Sequence, residues 1–559
     1  MKGNLRASWR RALFALAFAL LLATIAGPTH AQTPSPQPED QTFGVIESYE
    51  DPTAAGRLGA TWTRVRFQWA EVQAEGPESW APPLDDETLD AEIDAGRMVV
   101  GLIIGIPEWA RDHDGLPRGL SLPPDDAGNT WATFVREIVG RYEGRIDHWI
   151  IWNEPDIDDD DAPGHTWDGT IEDFVQLQRT AYLVAKDTNP DAIIHLGAFT
   201  YFWDPGYFRR FLDLVATDPA AVENDFYFDI ATAHLYFQPN FIYTIIDVFH
   251  KVMATHDLDK PIWLVETNAP PMDDPYWDVP NWTLAVSLNE QAAFIPQALA
   301  AALAAGAERI AVYKLKDTEG DREANPEPFG LIRWDESRRP AYNTYRVAIR
   351  LLAGVTAAER ERWDAVGQIR LDQDGQSTTV LFARLPQSQT ARVPATAATA
   401  DWIDMWGKAE TIEAKDGYFE VELPGALCLQ TIADFCMIGG TTYYLVQSAA
   451  GKPVVTPTRA VTLTPRPTTT ATSAPSPQPS VTPRPANTLE TIVQAPQPTA
   501  TAVSSTAVRS TPNPEPAAVS VPESSSARWL ADYAGLLVTG TAIILGAVMW
   551  GVHRTRTHR

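Results

Sequence analysis

Residues 98–104 read Met98-Val99-Val100-Gly101-Leu102-Ile103-Ile104, an apolar run without polar alternation. A run of that kind predicts a parallel strand buried on both faces, over Met98–Ile106, since a strand with one wet face would alternate. Downstream of it, Trp131, Phe134, Val135, Ile138, Val139 and Tyr142 recur at helical spacing and form a one-sided apolar stripe. Glu172–Lys186 repeats the stripe with Phe174, Leu177, Tyr182 and Val184–Ala185. Further strand-like runs lie at Phe43–Ile46, Thr61–Phe67, Ile146–Trp152, Ile193–Phe199, Asp229–Tyr236, Ile262–Glu266 and Arg309–Leu315. Strands that alternate with helices in this way over 39–353 predict an α/β fold, a (β/α)8 TIM barrel. A doubly wound sheet fits less well, because no Gly-rich phosphate loop follows the first strand.

Beyond the barrel the pattern changes. Short alternating runs at Gln368–Leu371, Thr378–Arg384, Tyr418–Leu423 and Thr441–Gln447, set between Gly, Asp and Pro turns, predict a small antiparallel β domain over 355–450. Pro, Thr, Ser and Ala then dominate 453–527. So little large apolar material cannot offset the entropy of folding, and the segment reads as a disordered stalk. At the N-terminus, a basic start, the apolar run Ala12–Gly27 and small residues before Ala31 predict a signal peptide over 1–31. At the other end, the uncharged run Tyr533–Val552 predicts a transmembrane helix within 530–552, followed by a basic cytoplasmic tail over 553–559. The expected location is therefore the cell surface, with the bulk of the chain outside and tethered through the C-terminal helix.

With 72 acidic against 44 basic residues the formal net charge is −28, and the basic ends make the middle more acidic still. Such a surface repels phosphate backbones and excludes nucleic acid as a partner. Cys428 and Cys436 make a disulfide-rich scaffold impossible and leave open one local bridge or two buried thiols. Neither has the neighbouring ligands of a zinc site. The acidic run Asp158–Asp161 lacks the Gly and the ligand spacing of a calcium loop, so no metal is expected. Oligomeric state leaves no trace in the sequence.

Barrel enzymes carry their chemistry at the C-terminal ends of strands. Two carboxylates meet that condition: Glu154 in Ile150-Ile151-Trp152-Asn153-Glu154-Pro155-Asp156, and Glu266 in Ile262-Trp263-Leu264-Val265-Glu266-Thr267-Asn268. Each comes directly off an apolar strand, where a charge is costly unless it serves a cleft. Arg66 shares strand parity with Arg64 and is expected to face the barrel too. Glu47, Glu108 and Glu319 are acidic loop residues without distinguishing context.

At these residues the chain resembles the retaining glycoside hydrolases of clan A, barrels whose fourth strand ends in Asn-Glu and whose seventh ends in Glu. The resemblance is to the xylosidase- and iduronidase-like and cellulase-like families, and it covers about 43–352. Arg64 ahead of Trp69, Pro107-Glu108-Trp109-Ala110, His234-Leu235-Tyr236, and Phe329-Gly330-Leu331 through Arg339-Pro340-Ala341-Tyr342 add to it in the expected order. The resemblance implies Glu154 as general acid/base, Glu266 as nucleophile and Arg64 as the group that keeps Glu266 ionised. It implies Asn153 on the sugar 2-hydroxyl, His234 and Tyr236 around the −1 subsite, and Trp109 and Tyr313 among the substrate contacts. The implied activity is hydrolysis of O-glycosidic bonds in extracellular carbohydrate, with two carboxylates, water and no cofactor. Two departures stand out. Val312-Tyr313 replaces the Trp-containing pair common on the eighth strand, and Thr267-Asn268 follows the seventh-strand Glu. The alternative is a cell-surface glycan-binding or adhesion protein on a hydrolase-like barrel that no longer cleaves.

Overall fold

The computed structural model describes residues 40–159, 162, 164–324 and 327–448. Parallel strands β1 (Phe43–Val45), β2 (Trp62–Gln68), β3 (Met98–Ile104), β4 (His148–Ile151), β5 (Ile193–His195), β6 (Ala231–His234), β7 (Ile262–Thr267) and β8 (Ala307–Val312) form one sheet. Its order is β5-β4-β3-β2-β1-β8-β7-β6. Parallel bridges His195–Ile230 and Phe199–Ala233 join its two ends and close the barrel. Trp62, Val100, Leu102, Ile150, Trp263 and Val265 fill the interior. Val65, Phe67, Val99, Ile103, Trp149 and Ile151 face outward into the core beneath the helices. The glycine inside the 98–104 run has a packing reason, because a Cβ on Gly101 would lie 2.3 Å from the Trp149 ring.

Most strands are shorter than, or offset from, the apolar runs that announce them. The differences sit where the barrel becomes a cleft. β4 ends at Ile151, and Trp152 and Glu154 take left-handed φ of 76° and 49°. β5 stops at His195 as the chain presses in at Gly197, where a Cβ would meet the Ile151 carbonyl at 2.8 Å. β6 and β8 likewise release Tyr236 and Tyr313 beyond their last ladder residues.

After the helix Pro340–Leu352, an antiparallel sheet follows in the order β14-β13-β18-β11-β10-β9, and β12 pairs with β15. These strands are β9 (Val355–Trp363), β10 (Val366–Gln373), β11 (Gln376–Ala383), β12 (Gln389–Pro394), β13 (Thr399–Asp404), β14 (Ala409–Glu413), β15 (Tyr418–Leu423) and β18 (Tyr443–Ser448). A small hairpin of β16 (Thr431–Ile432) and β17 (Phe435–Cys436) carries the disulfide Cys428–Cys436, Cα–Cα 4.9 Å. The bridge decides between the two states that the sequence leaves open.

The helix Leu288–Ala304 joins barrel and sheet. Its residues 290–302 are all buried, the pattern of a helix covered on every side. Gln297 donates to the Gly440 carbonyl at 3.0 Å and accepts from Gly439 N–H at 2.9 Å, and Glu290 accepts from Leu429 N–H at 3.1 Å. Among the described residues no helix is long and apolar enough to cross a membrane. The expected segments 1–31, 453–527, 530–552 and 553–559 lie outside the described residues.

Candidate active site

β2 builds the first wall. Its outward residues Val65 and Phe67 lie under the helices, so its even residues point inward: Trp62 into the barrel core, Arg64 one pleat higher, Arg66 at the open rim. Arg64 is only 5% exposed, and a buried guanidinium requires partners. It finds Glu266 at the end of β7, Nη2 to Oε1 2.5 Å, and approaches His234 Nε2 at 3.4 Å. The Tyr236 hydroxyl donates to the other Glu266 oxygen. Burial alone would raise the Glu266 carboxyl. His234, Arg64 and the Tyr236 hydrogen bond outweigh burial and hold it below the usual carboxylate range. Tyr236 moves the opposite way, pushed far above the ordinary phenol value by burial and then by Glu266 and Glu154.

Glu154 faces this assembly from β4. Its backbone N–H bonds the Ala198 carbonyl at 2.9 Å, which extends the β4–β5 pairing to the rim and aims the side chain across the mouth. His234 Nδ1 lies 2.7 Å from Glu154 Oε1 and 3.5 Å from Glu266 Oε2, so one imidazole touches both carboxylates. Oxygens of Glu154 and Glu266 approach within 4.8 Å. So close an approach falls short of the ~6.5–9.5 Å of paired carboxyls in inverting glycosidases and on the side of the ~5–5.5 Å of retaining ones. The three groups are also close enough to share a cation, but the Arg64 guanidinium already supplies the positive charge against Glu266, which disfavours one there. A second close group, Asp112, His113 and Asp114, lies on an open loop with His113 87% exposed.

The fold brings together Arg64, Glu154, His234, Tyr236 and Glu266 of the residues named from sequence. Asn153 is held beside them: its carbonyl accepts from the Thr166 hydroxyl, and its backbone bridges Ala198. Tyr313 lies close enough for Glu266 and Glu47, after burial, to raise its hydroxyl. Phe329 packs edge-on against both Tyr313 and Tyr236, at 5.5 and 5.7 Å. Trp109 lies in the short helix after β3, Glu108–Ala110. Its indole N–H is spent on the Gln73 carbonyl, 2.6 Å, and its ring lies edge-on to Trp69. Asn268, an atypical residue after the seventh-strand Glu, is a clasp: its amide donates to the Tyr313 and Phe329 carbonyls at 2.6 and 2.7 Å.

Three residues make contacts that the sequence reading did not assign to them. Glu47, just past β1, pairs with the buried Lys314 at 2.5 Å, and the rule that picked out Glu154 and Glu266 would have found it. Tyr49 follows it, its hydroxyl raised by burial and then by Glu47 and Glu50. Asp156 sits inside the quoted Glu154 motif. Buried, it accepts from Thr200 N–H and Oγ1, each at 2.9 Å, and from Tyr201 N–H at 2.8 Å, tying the loops after β4 and β5 together. Burial outweighs those bonds and pushes its carboxyl up to about 7.

No family model and no curated protein matches the chain. Solved structures do. A family 39 glycoside hydrolase from Bacteroides cellulosilyticus superposes with TM-score 0.54 at 17% identity, over 73% of this chain and 81% of that one. A glucosidase from Croceicoccus marinus gives 0.49 at 14% identity, over 73% and 95%. An endoxylanase of family 30 from Clostridium papyrosolvens gives 0.47 at 13% identity, over 74% and 97%. At the first of these scores the likeness is one of fold, and the chain is a (β/α)8 barrel with an attached antiparallel β domain, similar in architecture to that family 39 enzyme.

Proposed function

We propose that the chain is a retaining glycoside hydrolase acting on O-glycosidic bonds of extracellular poly- or oligosaccharides. The observation that carries this reading is the pair Glu154 and Glu266, oxygens within 4.8 Å across the barrel mouth, with Arg64 on one of them alone. Glu266, held ionised, attacks the anomeric carbon while Glu154 gives its proton to the departing oxygen, leaving a glycosyl ester on Glu266. Glu154, now a carboxylate, takes a proton from water. The resulting hydroxide equivalent attacks the same carbon and frees Glu266. His234 against Glu154 fixes that carboxyl's position through both steps.

The signal-like N-terminus, the Pro/Thr-rich stretch, the apolar C-terminal run and the Cys428–Cys436 bridge support an exported, membrane-tethered protein with its barrel outside.

Replacement of the two glutamates tests the chemistry on aryl glycosides. Glu266→Ala removes the atom that forms the intermediate, so turnover of every substrate is lost. Glu154→Ala still allows glycosylation by substrates with good leaving groups, then stalls. Azide needs no general base, so it restores turnover of Glu154→Ala and yields a glycosyl azide of retained configuration. An inverted azide, or full activity in both variants, sinks the proposal. Carbohydrate binding without turnover in the unmodified protein would favour the non-catalytic reading.

A further inference from the structure

Arg66 is a cation of the cleft wall that the mechanism leaves unused. It lies two residues beyond Arg64 on the inward face of β2, about 6.6 Å farther toward the open mouth. The other inward cations there are engaged: Arg64 by Glu266, Lys314 by Glu47 and Asp321. Arg66 is exposed and makes no hydrogen bond or ion pair among the described residues, although acids outnumber bases 72 to 44 in the chain. The nearby acid Glu47 is turned toward Lys314, 2.5 Å away. Tyr49, close enough to feel both Arg64 and Arg66, forms the adjoining wall. An unpaired guanidinium presents a planar fork of donors, and that fork matches a carboxylate or sulfate.

We infer that Arg66 forms a subsite for an anionic sugar, a uronate carboxylate or a sulfate ester, next to the Glu154–Glu266 pair. The overall charge of −28 does not oppose this. Exposed charges are screened within about 8 Å at physiological salt, whereas a direct bidentate contact is not. The inference deepens the glycosidase reading and rests on it.

The test uses the full-length protein and paired nitrophenyl glycosides in both anomers: glucuronide with glucoside, galacturonide with galactoside, and the 6-sulfates. The quantity read is the ratio of kcat/KM for the anionic member to that for its neutral partner. Arg66→Gln should lower this ratio by roughly 10–100-fold, the range for a charge-assisted hydrogen bond. Arg66→Lys, which keeps the charge but not the fork, should fall between. Dependence on the uronides alone identifies a carboxylate as the ligand, and dependence on the sulfates alone identifies a sulfate ester. An unchanged ratio in Arg66→Gln, with its melting temperature intact, overturns the subsite. If no glycoside is turned over, calorimetry with oligogalacturonate and with xylo-oligosaccharide separates the two failures. Preferential binding of the acidic oligomer, lost in Arg66→Gln, keeps the subsite while removing the enzyme; equal binding of both oligomers, or no loss in the variant, removes the subsite.

Discussion

At the residue scale, Tyr236 decides how acidic a medium the site tolerates. Its hydroxyl is one of the groups that keep the buried Glu266 ionised. Tyr236→Phe deletes that donor, so the Glu266 carboxyl rises toward its ordinary value. A nucleophile is active only when ionised, so the acidic limb of the kcat/KM profile should move to higher pH. Near the optimum kcat/KM should drop by roughly 10–100-fold, as for a lost hydrogen bond to a charged group. A role limited to packing would lower the rate without moving the limb. The same residues show how far a sequence can be read. Glu154 and Glu266 were legible because each comes straight off an apolar strand, whereas Arg64, His234 and Tyr236 were named only through the family resemblance. Glu47 obeyed that rule but lacked a motif around it. Trp109 had the motif, yet its indole serves the Gln73 carbonyl.

At the scale of elements, β4 and β5 carry a charge-sensitive pair at the closed end of the barrel, away from the mouth. His148 Nδ1 lies 3.0 Å from His195 Nε2, and Trp263 stacks on His148. Burial, with Arg309 adding to it, pushes His148 down to about 3, and His195 is lowered well below its ordinary value. The folded pKa of His148 thus lies below the unfolded 6.5, and the unfolded chain binds more protons between them. The stabilising contribution is complete above pH ~6.5 and is lost as the pH falls toward ~3, at about 1.4 kcal/mol per unit. Between pH 7 and 5 the unmodified protein should lose about 2 kcal/mol more than His148→Gln, read from urea unfolding. A pH dependence identical in both would remove His148 as the cause. Apolar runs revealed these strands, but their ends could not be read. Where β4, β5 and β6 stop is set by close backbone approach, as at Gly197, and not by side-chain polarity. β9 was missed for another reason: its Glu359-Arg360-Glu361-Arg362 stretch is an edge strand in charged dress, which blunts pairing with other chains.

For the whole molecule, the helix Leu288–Ala304 makes barrel and sheet a joint structure, since the faces the barrel leaves bare are covered by the sheet region through Gln297 and Glu290. That core is built from residues within 40–448, and the stalk and anchor expected from sequence lie outside the described residues. Deleting 528–559 should therefore release protein into the medium with its specific activity on aryl glycosides unchanged, measured on cell and medium fractions. Retention in the membrane fraction would mean that the apolar N-terminal run is itself an anchor. Loss of activity on release would place a functional contact beyond residue 448.

Trp152 and Glu154 hold their left-handed backbone at a cost of about 1–3 kcal/mol each, where glycine or asparagine would sit at ease. Trp152 offsets that cost by packing, buried against Trp131 and Trp167, whereas nothing in folding recommends the Glu154 side chain there. In a lineage that does not cleave its ligand, Glu154 would be among the first positions to drift, and Gly or Asn would collect there. Retention of Glu at this position across close homologues would be a record of continued selection on chemistry, written in the backbone and not in the barrel's core.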